Sequence, residues 1–155
     1  MVWYFAYGSN MNPARLVEAR LRPEGVEVAS RVCGRLDDWR LAFNKLRQTS
    51  PPSGAGNIVM SPGETVYGTP NEMPEAGLAV LDRYEGVTTG QYRREIVKVV
   101  RSDTGQPVEA VTYVALKLGA DDLRPLREYL AHLLAGRDLL PADYCARLER
   151  QGLAD

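Results

Sequence analysis

The chain has 155 residues, 45% hydrophobic and 25% charged, with a formal net charge of −1. That length suits one domain with a core large enough to fold without disulfides or metals, and the composition argues against long disorder. A single histidine (His132) and two cysteines (Cys33, Cys145), with no close Cys/His pair, argue against structural zinc, an iron–sulfur cluster or a haem-attachment motif.

In chain order, residues 3–6 form a short aromatic and apolar run that reads as a buried strand. It leads into Tyr7-Gly8-Ser9-Asn10. Asn12 and Pro13 then open a helix reaching about residue 21, with Asn12 as its cap and Pro13 at the first helical position. Residues 26–33 and 35–43 read as strands joined through Gly34. Residues 48–56, rich in Ser, Pro and Gly, read as a loop and the most mobile internal segment. Residues 57–60 and 64–67 flank Ser61-Pro62-Gly63, which predicts a hairpin with Pro then Gly at its turn.

A second helix is expected over 74–84, with Gly86 just past its end. Residues 92–101 and 108–115 form the clearest hairpin, around Asp103-Thr104-Gly105. A third helix over 123–135 carries Leu126, Tyr129, Leu130, Leu133 and Leu134 on one face, and Gly136 follows it. Pro141 starts a last helix that stops near Gly152. No internal repeat, low-complexity tract or linker divides the chain, so one domain is expected over 1–155. The irregular interleaving of strands and helices predicts an α+β class.

The N-terminal residues hold neither a basic n-region nor a long apolar h-region, and no window approaches the ~18 apolar residues of a membrane helix. A soluble, cytoplasmic protein with reduced thiols is expected, with no membrane and no nucleic-acid partner, because acids balance the arginines.

Two features carry chemistry. The loop Tyr7-Gly8-Ser9-Asn10 joins a buried strand to a helix start. Gly8 is free to take positive φ, Ser9 and Asn10 are polar, and successive amides can converge on a carboxylate or phosphate. A plain turn capped by Asn10 or Asn12 is the competing reading, and the spacing matches neither a P-loop nor a dinucleotide fingerprint. The second feature is Glu85. At 100° per residue, with Leu78 at 0°, Leu81 falls at about 300° and Glu85 at about 340°, within an apolar arc flanked by Val80 and Tyr84. Burial and the negative end of the helix dipole both raise a carboxyl pKa there, as a general base requires; a frayed surface glutamate is the alternative. His132 falls on the polar flank of its helix, Cys33 and Cys145 read as core residues, and Tyr92 and Tyr144 read as packing residues with hydroxyls able to turn towards a pocket.

The order of blocks adds to this. Phe5-Ala6-Tyr7-Gly8-Ser9-Asn10 is followed by Gly34-Arg35-Leu36-Asp37-Asp38-Trp39-Arg40-Leu41, then Ser61-Pro62-Gly63-Glu64-Thr65-Val66-Tyr67-Gly68, then Leu81-Asp82-Arg83-Tyr84-Glu85-Gly86-Val87 and Gly90-Gln91-Tyr92. Together they resemble the γ-glutamylcyclotransferases, over about residues 4–148. The glutathione-degrading and γ-glutamylamine branches usually have other residues at the position of Asn10. The resemblance implies a mixed, largely antiparallel sheet or partly closed barrel with flanking helices. It also implies closure of a γ-glutamyl compound to 5-oxoproline with release of an amine or amino acid. The substrate supplies the nucleophile, so no metal or other cofactor is implied. The residue matching the family base is Glu85, the loop Tyr7, Gly8, Ser9 and Asn10 holds the glutamyl part, and Tyr92 and Tyr144 match positions whose hydroxyls line the pocket.

One departure follows Tyr67-Gly68, where Thr69-Pro70-Asn71-Glu72 break the expected strand alternation and predict a shortened or edge strand. Homodimers are frequent in the family. Two alternatives stay open: the same chemistry on a γ-glutamyl-capped amine, and a non-catalytic protein that binds a γ-glutamyl or amino-acid ligand.

Overall fold

In the computed structural model, which describes residues 1–155, the N-terminal apolar run is strand β1 (Val2–Ala6). It lies between two neighbours, antiparallel to β4 (Ser53–Met73) and parallel to β6 (Pro107–Ala115). Burial on both sides explains why the run is apolar throughout rather than alternating. The remaining strands are β2 (Ser30–Arg31), β3 (Gly34–Arg47) and β5 (Tyr92–Arg101). The order β1-β6-β5-β3-β4 closes back on β1, giving a five-stranded barrel with β2 added along β4.

The two-residue period of a strand divides the core between two faces. Phe5 and Tyr7 join Leu36, Ile58, Val66 and Val99 in a cluster drawn wholly from the strands and their ends. Tyr4 and Ala6 face the other way, into a larger cluster with Met11, Leu16, Leu81 and Leu133 from the helical segments. Each fully buried Leu here contributes about 1.5–3 kcal/mol relative to exposure. Helices α1 (Ala76–Tyr84), α2 (Arg127–Leu134) and α3 (Ala142–Glu149) cover this second face. None is long and apolar enough to cross a membrane.

Several local expectations are corrected. Ser61-Pro62-Gly63 is not a hairpin turn. Asp37 pairs with Thr65 and Trp39 with Met60, so β3 runs alongside both flanks and residues 61–64 form a wide bulge within β4. Asp38 opposes that bulge at φ 69° and accepts a 3.0 Å hydrogen bond from the Gly63 N–H. The loop expected over 48–56 ends at residue 52, because Ser53 to Gly56 already belong to β4 and Ser53 is fully buried. Gly54 is required there, since a Cβ would stand 1.7 Å from the Phe43 carbonyl oxygen.

β4 also continues through Thr69 to Met73 rather than stopping, with Thr69 and Asn71 wholly buried between β1 and β2. Pro70 fits because it falls in the gap between the β3 pairing, which ends at Gly34–Gly68, and the β2 pairing at Asn71. The strand expected over 26–33 reduces to β2. The helix expected over 123–135 starts only at Arg127, because Leu126 after Pro125 is extended.

The first helical segment, Ala14–Leu21, is wound as a π-helix, and a single 3₁₀ turn, Ser9–Met11, separates it from β1. Asn12 does cap it, its side-chain oxygen accepting from the Ala14 N–H at 3.1 Å.

Candidate active site

β1 and α1 deliver the two predicted features to one cavity. β1 ends at Ala6, and the chain from Tyr7 to Asn10 lines the cavity. α1 ends at Tyr84, leaving Glu85 as its last αR residue before Gly86 turns the chain at φ 63°. That left-handed turn fixes where the helix stops and so where the carboxylate points. Tyr7, Gly8, Ser9, Asn10, Glu85 and Tyr92 all line the cavity, joined by Tyr4, Gly56, Thr112, Tyr113 and Tyr129. Tyr144 is not among them. Its ring stacks edge-on against Tyr67 at 5.3 Å, and it lines a separate groove with Arg40 and Arg147, where burial pushes its hydroxyl up to about 12.

The Glu85 side chain is 17% exposed. Burial raises its pKa above the usual carboxylate range, and the nearby cations Arg20 and Arg15 pull it back in part. Asn10 bridges the arrangement. Its amide donates to Tyr4 Oη at 3.0 Å and to Glu85 Oε1 at 3.4 Å, while its oxygen accepts from Arg20 Nη1 at 2.9 Å. Arg20 Nη1 stands 4.0 Å from Glu85 Oε1, and its guanidinium lies over the Tyr84 ring at 4.6 Å. Tyr84, placed on the apolar flank by periodicity, is half exposed and serves as that platform.

The opposite wall is Gly56. Tyr129 Oη accepts from its N–H at 2.7 Å, and Tyr92 Oη donates to its carbonyl at 2.8 Å. Tyr7 Oη likewise donates to the Tyr113 carbonyl at 2.6 Å. Burial raises all of these tyrosine pKa values, so their hydroxyls stay protonated at neutral pH. Gly8 does not use positive φ (its φ is −115°). Its contribution is close approach: the Cβ position of Gly56 falls 3.7 Å from Gly8 Cα. The N–H groups of Tyr7 and Gly8 donate no hydrogen bond within the chain, leaving two amides for an acceptor beside the cavity. No group of three His, Cys, Asp or Glu side chains comes together as a metal site. His132 lies outside the cavity against Asn12 (3.0 Å) and Arg15 (3.5 Å).

Sequence reasoning missed Tyr4, Gly56, Tyr129, Arg15 and Arg20. For the arginines the cause is helical winding. Residues five apart are separated by about 140° on an α-helix. In a π-helix the i→i+5 hydrogen bond stacks them one turn above another. Arg15 and Arg20 thereby share the face beside Glu85.

The inner cavity has about 40 Å³ of free volume and opens into an outer vestibule of about 250 Å³, the two sharing Ser9, Glu85, Tyr92 and Tyr129. The arrangement offers one largely buried carboxylate, a loop with unpaired amides lining the same cavity, and room outside for the rest of an extended molecule.

A family model described as the AIG2-like family matches residues 65–148. The chain is 30% identical over 149 residues to the γ-glutamylcyclotransferase of Homo sapiens, covering 94% of this chain and 76% of the human one. It is likewise 30% identical over 148 residues to that of Bos taurus, with the same coverage. A solved γ-glutamyl cyclotransferase structure superposes with a TM-score of 0.86 at 26% identity, covering 99% of this chain and 89% of that one. The barrel and these relatives agree: the chain belongs to the γ-glutamylcyclotransferase family.

Proposed function

We propose that the protein is a γ-glutamylcyclotransferase acting on γ-glutamyl amino acids. The observation that carries this reading is Glu85, a largely buried carboxylate of raised pKa lining the cavity beside the Tyr7–Asn10 loop. In the reaction the substrate α-nitrogen bonds to the γ-carbonyl carbon and the bond from that carbon to the departing nitrogen breaks. The products are 5-oxoproline and a free amino acid. Glu85 takes the proton shed by the attacking nitrogen and returns one to the leaving nitrogen. The free N–H groups of Tyr7 and Gly8 suit the substrate α-carboxylate or the developing oxyanion.

Holding a flexible substrate folded for attack supplies much of the rate, since well-oriented intramolecular reactions reach effective molarities of about 10⁵ M or more. The tyrosine and glycine walls serve that purpose by narrowing the inner cavity. The substrate brings its own nucleophile, and the reading assigns no cofactor.

Incubation with a γ-glutamyl dipeptide and measurement of 5-oxoproline tests the reading. Release of 5-oxoproline and the free amino acid in equal amounts is expected, and no release overturns it. A purely ligand-binding role is the second reading. It leaves the raised pKa of Glu85 without a purpose, because binding alone does not need a base.

A further inference from the structure

The outer vestibule carries more positive charge than the reaction requires. Arg15, Arg20, Lys45 and Arg47 line it, and Glu85 is the one acid among its lining residues. Arg20 is engaged by Asn10 and Glu85. The other three form no ion pair anywhere in the chain. Arg15 reaches only His132, whose ring burial and the Arg15 charge keep below its ordinary pKa and hence neutral. Lys45 donates only to the Leu46 carbonyl, and Arg47 lies over the Tyr129 ring at 5.3 Å.

Two of these groups are also incompletely satisfied. Arg15 Nε and Arg47 Nη1 are buried without a hydrogen-bond partner. A buried cationic donor left unpaired is destabilising, so its retention beside a cavity points to a partner that arrives with the ligand. The π-winding of Ala14–Leu21 brings Arg15 to this face, and β3 brings Lys45 and Arg47 two residues apart so that both project the same way. Cations from two separate elements therefore converge on the space the leaving group must occupy, outside an inner cavity too small to hold it.

We propose that this vestibule selects a leaving amino acid with an acidic side chain, so that the preferred substrate is a γ-glutamyl derivative of a dicarboxylic amino acid. A neutral amino acid offers its single α-carboxylate to three free cations; a dicarboxylic one offers two. This inference rests on the proposed cyclotransferase reading and names its substrate class.

The test compares γ-glutamyl-glutamate with γ-glutamyl-glutamine, which differ only in carboxylate against amide. The specificity constant kcat/KM for the acid is expected to exceed that for the amide by about tenfold or more at about 50 mM salt, and the ratio shrinks at about 500 mM. Lys45→Met and Arg47→Gln are each expected to reduce the ratio to about threefold or less. Equal kcat/KM for the two compounds overturns the inference and leaves the cyclotransferase reading standing. If neither compound yields 5-oxoproline, that reading fails, and calorimetric binding of the two compounds to the Glu85→Gln protein decides the vestibule separately. Tighter binding of the acid by about tenfold supports it, and equal binding overturns it.

Discussion

Arg20 Nη1 stands 4.0 Å from Glu85 Oε1 and 2.9 Å from Asn10 Oδ1, so one guanidinium both orients the asparagine and faces the carboxylate. The two charges are close enough to stabilise the ionised acid but lack the contact of a tight pair. Burial of Glu85 outweighs that attraction and leaves its pKa raised. Both influences act on one carboxylate: burial makes it a stronger base than an exposed glutamate, and the arginine charge limits that gain. The acid limb of kcat/KM is therefore expected above the ordinary carboxylate value of 4.5. Arg20→Met removes a cation that lowers the pKa, so the limb moves further up. A pH–rate profile checks this, and an unmoved or lowered limb in the variant contradicts it.

Replacing the base separates chemistry from binding. Glu85→Gln keeps the shape of the side chain and an oxygen for the Asn10 amide, but it cannot take a proton. Turnover is expected to fall by about 10²–10⁴-fold while a γ-glutamyl dipeptide still binds. Stability has a definite sign. A carboxyl whose folded pKa is raised contributes stability below its unfolded pKa and loses it as pH rises through the folded one. At pH 7 the charged form is therefore a burden, and the Tm of Glu85→Gln is expected at or above that of wild type. Calorimetric binding and a thermal melt read the two halves, and near-normal turnover would falsify the assignment of the base.

Glu85 could be found from sequence because α1 is a regular α-helix, so a 100° wheel places Leu78, Leu81 and Glu85 correctly. The same rule hides Arg15 and Arg20, whose segment is wound differently. The β5–β6 hairpin was legible because its turn and its alternation agree. β4 was not, because Gly54, Gly56, Pro62, Gly63 and Pro70 each argue locally for a break. Its pairing to β3 and β1 overrides them. Tyr129 and Gly56 lie 73 positions apart, and only barrel closure and helix packing bring them together.

Asn10 is 3% exposed and touches Tyr4, Glu85 and Arg20 at once. Asn10→Asp puts a second carboxylate about one hydrogen-bond length from Glu85. Arg20 can satisfy one of the two anions, so the pair is expected to titrate with its upper pKa raised beyond that of Glu85 alone. Both consequences follow the same sign. The acid limb of activity moves up, and the stability deficit against wild type grows as pH rises from 5 to 8, reaching about 2 kcal/mol. Urea denaturation at the two pH values measures it. A deficit that shrinks with rising pH would mean that Arg20 neutralises the new charge completely.

Tyr129→Phe isolates the clamp on Gly56. The ring keeps its edge-on contact with Phe43 at 6.3 Å and the Arg47 guanidinium at 5.3 Å, so the lost hydroxyl is the main change. That hydroxyl is the acceptor for the buried Gly56 N–H at 2.7 Å. A buried donor stripped of its acceptor costs about 1–3 kcal/mol, readable as a lower urea midpoint at unchanged slope. Tyr92→Phe removes the bond to the Gly56 carbonyl instead, and a carbonyl tolerates partial satisfaction better than an N–H does. Tyr129→Phe is therefore expected to be the more destabilising of the two. Both variants should lower kcat, because each frees a wall that narrows the inner cavity. If Tyr92→Phe proves the costlier in the urea experiment, the carbonyl end of Gly56 controls the wall and the order of the two contacts is reversed.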